Sequence, residues 1–140
     1  MISVFVDTSV LLHAVGGSHP RRDAARELLG RVERDLAIHV GAETIQEFLF
    51  HRLRVGDATK AVEQARWLLN VVVVHPFDVD VARAAVDLVA AAGVGGRDAV
   101  LAATAREAGF DVVVTHDSRF VAPPGLRTLG AADYLASLPR

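Results

Sequence analysis

The 140-residue chain contains no cysteine, one lysine, one tryptophan and one tyrosine. Without cysteine it cannot form disulfide bonds, Cys-ligated zinc sites, iron–sulfur clusters or thiol nucleophiles. Long apolar runs are missing as well, because Asp7 ends the run Ile2–Val6, and Arg83 and Asp87 interrupt the alanine-rich stretch 81–93. The sequence therefore predicts neither a signal peptide nor a membrane contact. Since the lack of cysteine also fits a reducing compartment, we expect a cytoplasmic protein.

An excess of charge of one sign is also missing, because 15 basic and 17 acidic residues give a net charge of −2. This balance provides no overall field for attracting nucleic acid. All basic residues except Lys60 are arginines. Arginine suits bidentate phosphate contacts, but a biased genome composition gives the same excess and is the first explanation. With 51% apolar residues, we expect one folded domain over residues 1–140.

Short runs of apolar and β-branched residues alternate with longer segments in which apolar residues recur every three or four positions. The short runs predict buried strands, and the longer segments predict amphipathic helices. The predicted strands are 2–6, 37–40, 71–74, 112–115 and 126–129, and the predicted helices are 8–15, 21–35, 42–55, 58–70, 78–92, 98–108 and 131–138. This alternation indicates an α/β fold, a three-layer sandwich with a central parallel sheet of about five short strands flanked by helices.

Four acidic residues lie where the chain leaves this sheet or runs in a helix beside it: Asp7, Glu47, Asp98 and Asp117. In parallel sheets ligands bind outside the carboxyl ends of the strands, so we expect these residues to converge on one edge. Each also has a purely structural explanation. Asp7 and Asp98 suit helix starts, and Asp117 suits a turn. Thr44 and Glu47 have the spacing of a helix capping box.

Four gathered carboxylates repel one another, and the repulsion needs a compensating charge. Two like charges about 5 Å apart repel by roughly 3 kcal/mol at an effective dielectric constant of about 20. Bound protons or a cation must offset the repulsions within such a cluster. Carboxylate oxygens without cysteine ligands favour Mg²⁺, with Mn²⁺ as an alternative. Ions of this kind activate water and stabilise phosphoryl transfer.

The four acids lie in the segments VFVDTSVLL, TIQEFLF, GGRDAVLAATA and VVVTHDSRF. Their order, their spacing and the chain length resemble those of PIN-domain ribonucleases, especially the VapC toxins of bacterial toxin–antitoxin pairs. The resemblance implies a Mg²⁺-dependent endoribonuclease that cleaves single-stranded segments of structured RNA. It implies that Asp7, Glu47, Asp98 and Asp117 are catalytic and metal-binding. It also implies the strand order 3-2-1-4-5 and a VapB-type antitoxin that blocks the site.

Four residues near these acids are candidate helpers: Thr8, Ser9, Thr115 and His116. Their hydroxyl groups suit the orientation of a carboxylate, and local turn or cap hydrogen bonds explain them equally well. His116 suits a phosphate contact, although a surface turn is its simpler interpretation. Many relatives carry a further acid shortly after the last one, where this chain has Ser118 and Arg119. This departure disfavours a tightly held second metal ion.

Arg97 and Arg119 adjoin the acids and are the best candidates for contacts with the RNA backbone. The helices predicted between residues 42 and 70 carry more apolar area than one helix pair needs, including Phe50, Leu53 and Trp67. Core packing is the first interpretation of this area. A groove for an antitoxin helix, or the contact surface of a homodimer, is the second. We expect a homodimer.

Two other functions stay open on the sequence alone: a PIN-like RNA-binding module without turnover, and a housekeeping PIN nuclease. The presence of all four acids argues against a binding module, because such a module does not need their repulsion. A phosphatase is disfavoured because Ser9 stands where a second acid would follow Asp7. The glycine loops of nucleotide sites and the serine-hydrolase elbow are absent from the sequence.

Overall fold

The chain forms five short strands and seven helices in a computed structural model that describes residues 1–139. The strands are β1 (Ile2–Val6), β2 (Leu36–Gly41), β3 (Val73–His75), β4 (Val112–Val114) and β5 (Arg127–Leu129). The helices are α1 (Thr8–Val15), α2 (Arg22–Gly30), α3 (Ala42–Val55), α4 (Ala58–Val71), α5 (Val79–Ala92), α6 (Gly96–Glu107) and α7 (Ala131–Ser137). None of these helices is long and apolar enough to cross a membrane.

All five strands are parallel and form one sheet in the order β3-β2-β1-β4-β5. The predicted α/β class and the predicted strand order are therefore confirmed. The central strand β1 pairs with β2 from Ile2, opposite Leu36, and with β4 from Phe5, opposite Val113. The strand order reverses between β1 and β4. In open α/β sheets the crevice at the carboxyl ends of such strands is where ligands bind.

Helices cover both faces of the sheet, as the alternating side chains of β1 show. Val4 and Val6 pack on one face with Leu11 of α1, in a core that includes residues of α2, α3, α4 and α7. Phe5 points to the other face, where it packs with Leu101 of α6. Each buried apolar surface contributes roughly 25 cal/mol per Å² removed from water, so this alternation anchors β1 from both sides.

The third strand differs from its prediction. The sequence predicts a buried strand over residues 71–74, but Val71 still belongs to α4 and the strand begins at Val73. Val73 and Val74 are 45% and 36% exposed, because β3 lies at the edge of the sheet and has one neighbouring strand. The prediction of burial is therefore wrong here. A run of β-branched residues indicates a strand but does not show where in the sheet it lies.

Several helix boundaries also differ from their predictions. The apolar pattern predicts a helix over residues 21–35, but α2 ends at Gly30. The carbonyl oxygen of Arg31 then accepts hydrogen bonds from the backbone N–H groups of Arg34, Asp35 and Leu36, which turns the chain into β2. At the other end of the chain, α6 begins at Gly96, two residues before its predicted start.

Three apolar side chains of α3 and α4, for which core packing was the first interpretation, lie at the protein surface. Phe50, Leu53 and Trp67 are 63%, 45% and 44% exposed, so core packing is the wrong interpretation for them. Phe48, on the opposite side of α3, is fully buried in the main core. The two helices therefore carry an apolar outer surface in addition to the face that they bury.

His116 ties the end of β4 to α1 and α7. Its Nε2 accepts a hydrogen bond from the backbone N–H of Ala131 (3.2 Å), so the neutral ring carries its proton on Nδ1. That Nδ1 donates to Nδ1 of His13 (2.6 Å), whose ring stacks on His19 with 4.0 Å between ring centroids. Arg21 donates to the carbonyl oxygen of His116 (2.7 Å). Burial and the neighbours His13, Arg21 and His19 lower the pKa of His116 to about 4.

Acid should destabilise the fold through His116. Its pKa is about 4 in the folded protein against an ordinary 6.5, so the unfolded chain takes up the proton first as the pH falls between these values. Over this window the free energy of unfolding of the wild type should drop by about 1–2 kcal/mol more than that of His116→Gln, whose amide does not titrate. Urea unfolding at several pH values between about 4 and 6.5 measures how the free energy of unfolding of each protein depends on pH. The same pH dependence in both proteins would contradict this role of His116.

Candidate active site

A cavity of about 500 Å³ lies at the carboxyl end of β1, where the strand order reverses. All four acids singled out in the sequence line it: Asp7, Glu47, Asp98 and Asp117. They come from the junction of β1 and α1, from α3, from the first turn of α6 and from the segment after β4. The fold thus brings residues that are far apart in sequence into one cavity. Their assignment as catalytic and metal-binding residues stays a prediction.

Three donors fix the carboxylate of Asp7. Asp7 is the N-cap of α1, and it accepts hydrogen bonds from the backbone N–H of Thr8 (2.7 Å), Ser9 Oγ (2.9 Å) and Thr115 Oγ1 (2.8 Å). Ser9 Oγ in turn accepts a hydrogen bond from the backbone N–H of His116 (2.9 Å). Hydrogen bonds to a charged group are among the strongest in proteins. The contacts that begin α1 therefore also hold this carboxylate at the cavity.

The four candidate helpers have different roles in the structure. The hydroxyl groups of Ser9 and Thr115 contact Asp7, as the sequence suggested. Thr8 contributes its backbone N–H, and its Oγ1 is buried without a hydrogen-bond partner among residues 1–139. His116 is 9% exposed, so a surface position is the wrong interpretation. Both of its ring nitrogens are already hydrogen-bonded within the protein, which leaves none free for a phosphate.

Asp98 and Asp117 accept hydrogen bonds from the segment that follows β4. Oδ2 of Asp98 accepts from the backbone N–H of Val121 (3.2 Å), which ties α6 to that segment. Oδ1 of Asp117 accepts from the backbone N–H of Arg119 (2.9 Å), so the turn proposed from the sequence is present. Each hydrogen bond engages one carboxylate oxygen. A structural role and a role in ligand binding therefore do not exclude each other at these two residues.

Glu47 faces the cavity from the second turn of α3 and forms an ion pair with Arg97 (2.6 Å). The capping box proposed for Thr44 and Glu47 is wrong, because α3 begins at Ala42 with Gly41 as its N-cap. The side chain of Arg97 is 83% exposed. Exposed ion pairs contribute about 0–1 kcal/mol to stability, so this pair opens at little cost in free energy.

The acids are not arranged as a closed metal site. Throughout residues 1–139, no three histidine, aspartate or glutamate side chains converge closely enough to ligate one ion. Glu47 is instead paired with Arg97, and Asp98 and Asp117 each accept a backbone N–H. The chemistry of the donors nevertheless fits Mg²⁺ or Mn²⁺, since all of them are carboxylates and no thiolate competes.

The reasoning from sequence missed a fifth acid, Glu43, which lines the same cavity. Oε1 of Glu43 lies 3.4 Å from Oγ1 of Thr104 on α6. Burial raises the pKa of Glu43 above its usual range. Hydrogen bonding to its own backbone N–H and to Thr104 opposes this rise, and the charges of Glu47 and Asp7 add to it. The available signal was the spacing of Glu43 and Glu47, because residues four positions apart share one face of a helix.

Comparisons with known proteins agree with this architecture. Residues 4–126 match the PIN domain family. Ribonuclease VapC7 of Mycobacterium tuberculosis is 32% identical over 121 residues, which cover 84% of this chain and 83% of the relative.

Solved structures share the fold at lower identity. DNA-bound VapBC from Salmonella typhimurium matches with a TM-score of 0.72 at 20% identity, over 94% of this chain and 99% of that chain. Mycobacterium tuberculosis VapC20, a sarcin–ricin loop cleaving toxin, matches with a TM-score of 0.69 at 21% identity, over 84% and 92%. The resemblance read from the four acidic segments is confirmed: the chain belongs to the PIN domain family and is related to its VapC ribonucleases.

Proposed function

We propose that this protein is an endoribonuclease that depends on Mg²⁺, with Mn²⁺ as an alternative, and cleaves single-stranded segments of structured RNA. One observation carries the proposal: acids from four separate parts of the chain line one cavity where the strand order reverses. Folding alone gives no reason to gather like charges, because each pair repels. The name of the relative, a ribonuclease, supports the same reaction class.

The acids have distinct proposed roles. Asp7, Asp98 and Asp117 would hold the cation, and Glu47 would complete the set or orient and deprotonate the attacking water. A divalent cation in this cavity supplies positive charge that stabilises the phosphodiester as it is cleaved. Ser9 and Thr115 act through Asp7, because their hydroxyl groups fix its carboxylate.

Arginine and aromatic side chains beside the acids suit an RNA strand. Arg54 and Arg97 line the cavity, and the Arg54 guanidinium lies 5.6 Å from the centre of the Phe50 ring. Arg97 can bind a phosphate once it leaves Glu47. The exposed ring of Phe50 offers a face on which an unpaired base can stack, which favours single-stranded segments. A sarcin–ricin loop cleaving toxin among the structural neighbours supports this substrate class.

We further propose that the protein is the toxin of a VapBC-type pair and that a VapB-type antitoxin covers the apolar outer surface of α3 and α4. Leu53 on α3 and Trp67 on α4 are 45% and 44% exposed. Phe50 belongs both to this surface and to the lining of the cavity, so a segment bound there would also obstruct the acids. Structural neighbours that are VapBC assemblies support an antitoxin partner. The homodimer and the cytoplasmic location stay predictions.

An RNA-binding module without turnover is the second candidate function. The separation of the carboxylates by protein donors favours it, because no three of them are placed to ligate one ion within residues 1–139. Such a module would use Arg54, Arg97 and Phe50 but not the acids. A housekeeping nuclease would use the acids and lack the antitoxin.

Replacing Asp98 with asparagine should separate catalysis from folding. Asparagine keeps the size of the side chain and an oxygen that accepts the Val121 N–H, but it removes one of the clustered charges. The metal-free variant should be at least as stable as the wild type, because like-charge repulsion of up to a few kcal/mol is relieved. Cleavage of total cellular RNA in Mg²⁺ or Mn²⁺ should fall by orders of magnitude.

Asp80→Asn is the matched control for this variant. Asp80 also lies in the first turn of a helix, but it is exposed on α5 and does not line the cavity. Thermal unfolding in a chelator and the cleavage assay are measured for both variants. Cleavage by Asp98→Asn equal to that of the wild type would contradict the catalytic assignment and favour the binding module.

Replacing Trp67 with serine should weaken the antitoxin complex. The indole ring is 44% exposed and would bury its remaining apolar area against an antitoxin helix, so we expect the dissociation constant to rise about tenfold or more. The proposal predicts a short reading frame beside the gene, and its product, purified with this protein, would be the partner for this measurement. Val86→Ser, at an exposed position on α5, is the control. Equal affinities of both variants for the antitoxin would contradict the proposal that it binds the outer surface of α3 and α4.

A further inference from the structure

Glu43 has an oxygen that the protein does not satisfy. Its Oε2 is buried and has no hydrogen-bond partner among residues 1–139. Its Oε1 lies 3.4 Å from Oγ1 of Thr104, but that hydroxyl donates its only proton to the carbonyl oxygen of Val100 at 2.8 Å. Buried polar groups are almost always hydrogen-bonded in native proteins. The carboxylate of Glu43 therefore has capacity for a ligand that the protein itself does not provide.

Gly41 provides the space that this carboxylate occupies. A Cβ at Gly41 would lie 2.6 Å from both Cδ and Oε2 of Glu43 and would overlap Oε1. The backbone angles of Gly41 are φ −84° and ψ 158°, which any residue adopts, so its conformation does not require glycine. The lack of a side chain at Gly41 instead allows Glu43 to fold back over the start of α3.

Glu43 also differs from the other acids of the cavity. Asp7, Asp98 and Asp117 each accept at least one backbone hydrogen bond of 3.2 Å or less, and Glu47 pairs with Arg97. Mg²⁺ and Mn²⁺ sites draw on several oxygen ligands. The buried oxygen Oε2 of Glu43, which has no partner, is a further donor available in this cavity.

We propose that Glu43 is a fifth carboxylate of the cation site and binds the divalent cation of this cavity. This inference rests on the proposed function, because it takes the cation as given and adds a residue to those that hold it. Glu43 reaches the cavity from the first turn of α3, and Glu47 reaches it from the second turn. One helix would thus supply two of the five carboxylates.

Titration of the purified metal-free protein with Mn²⁺ tests the proposal through affinity rather than activity. Glu43→Gln keeps the shape of the side chain and removes its charge, and we expect the dissociation constant to rise about tenfold. Glu107→Gln removes an exposed charge at the end of α6 and should change the constant by less than about twofold. Thermal unfolding in a chelator shows that each variant is folded.

Two further variants separate ligation from charge. Glu43→Asp keeps the charge but draws the carboxylate back by one methylene group. Gly41→Ala keeps Glu43 itself and displaces its carboxylate. Both should bind Mn²⁺ more weakly than the wild type. The double variant Gly41→Ala/Glu43→Gln should bind no more weakly than Glu43→Gln, because both changes remove one interaction.

The outcomes also separate this inference from the proposed function. If the wild type binds Mn²⁺ and Glu43→Gln binds it equally well, Glu43 has no part in the site and the inference is overturned alone. Wild-type affinity in both Glu43→Asp and Gly41→Ala, with a loss in Glu43→Gln, would show an effect of charge and would overturn ligation. A wild type that neither binds Mn²⁺ nor cleaves RNA would overturn the proposed function as well.

Discussion

The hydrogen bonds of Asp7 join the sheet to the cavity, and the position of Asp117 depends on them. The backbone N–H of Asp7 donates to the carbonyl oxygen of Val114 (2.9 Å), which extends the pairing of β1 with β4 past the last strand residues. Its carboxylate then begins α1 and accepts the hydroxyl of Thr115. Because Thr115 stands two residues before Asp117, the same pairing places the last acid beside the first. A buried parallel sheet thus sets the positions of two charged groups.

Like charges gathered in this way destabilise the protein unless each is compensated. In the structure the compensation is local. Asp7 accepts hydrogen bonds from hydroxyl and backbone N–H groups, and Asp98 accepts one from a backbone N–H. Asp117 has the backbone N–H and the guanidinium of Arg119, and Glu47 has Arg97. The exposed pair of Glu47 with Arg97 opens at little cost in free energy. Asp98 and Asp117 each keep one carboxylate oxygen outside these contacts. Oxygens of three acids are therefore available to a cation.

The sequence predicted the fold more completely than it predicted the site. From its glycines the sequence placed α1 and α3 at their observed bounds, because Gly16 ends α1 and Gly41 and Gly56 flank α3. It overestimated the burial at Val73, since strand propensity carries no information on edge position. It located the four acids by their places after the strands. Glu43 escaped notice because its significance depends on Gly41 and Thr104, and the latter is distant in sequence. The pairing of Arg97 with Glu47, 50 positions apart, is likewise a tertiary contact that no local pattern encodes.

The central claim is that these carboxylates bind a divalent cation in the cavity. Anomalous X-ray diffraction from crystals grown with Mn²⁺ tests it most directly, because it locates the ion without reference to activity. The account predicts an anomalous peak within the cavity, in contact with the carboxylates of Asp7 and at least one of Asp98 and Asp117, with Glu47 released from Arg97. Crystals that contain Mn²⁺ but show no peak in the cavity, with the Glu47–Arg97 pair intact, would contradict it.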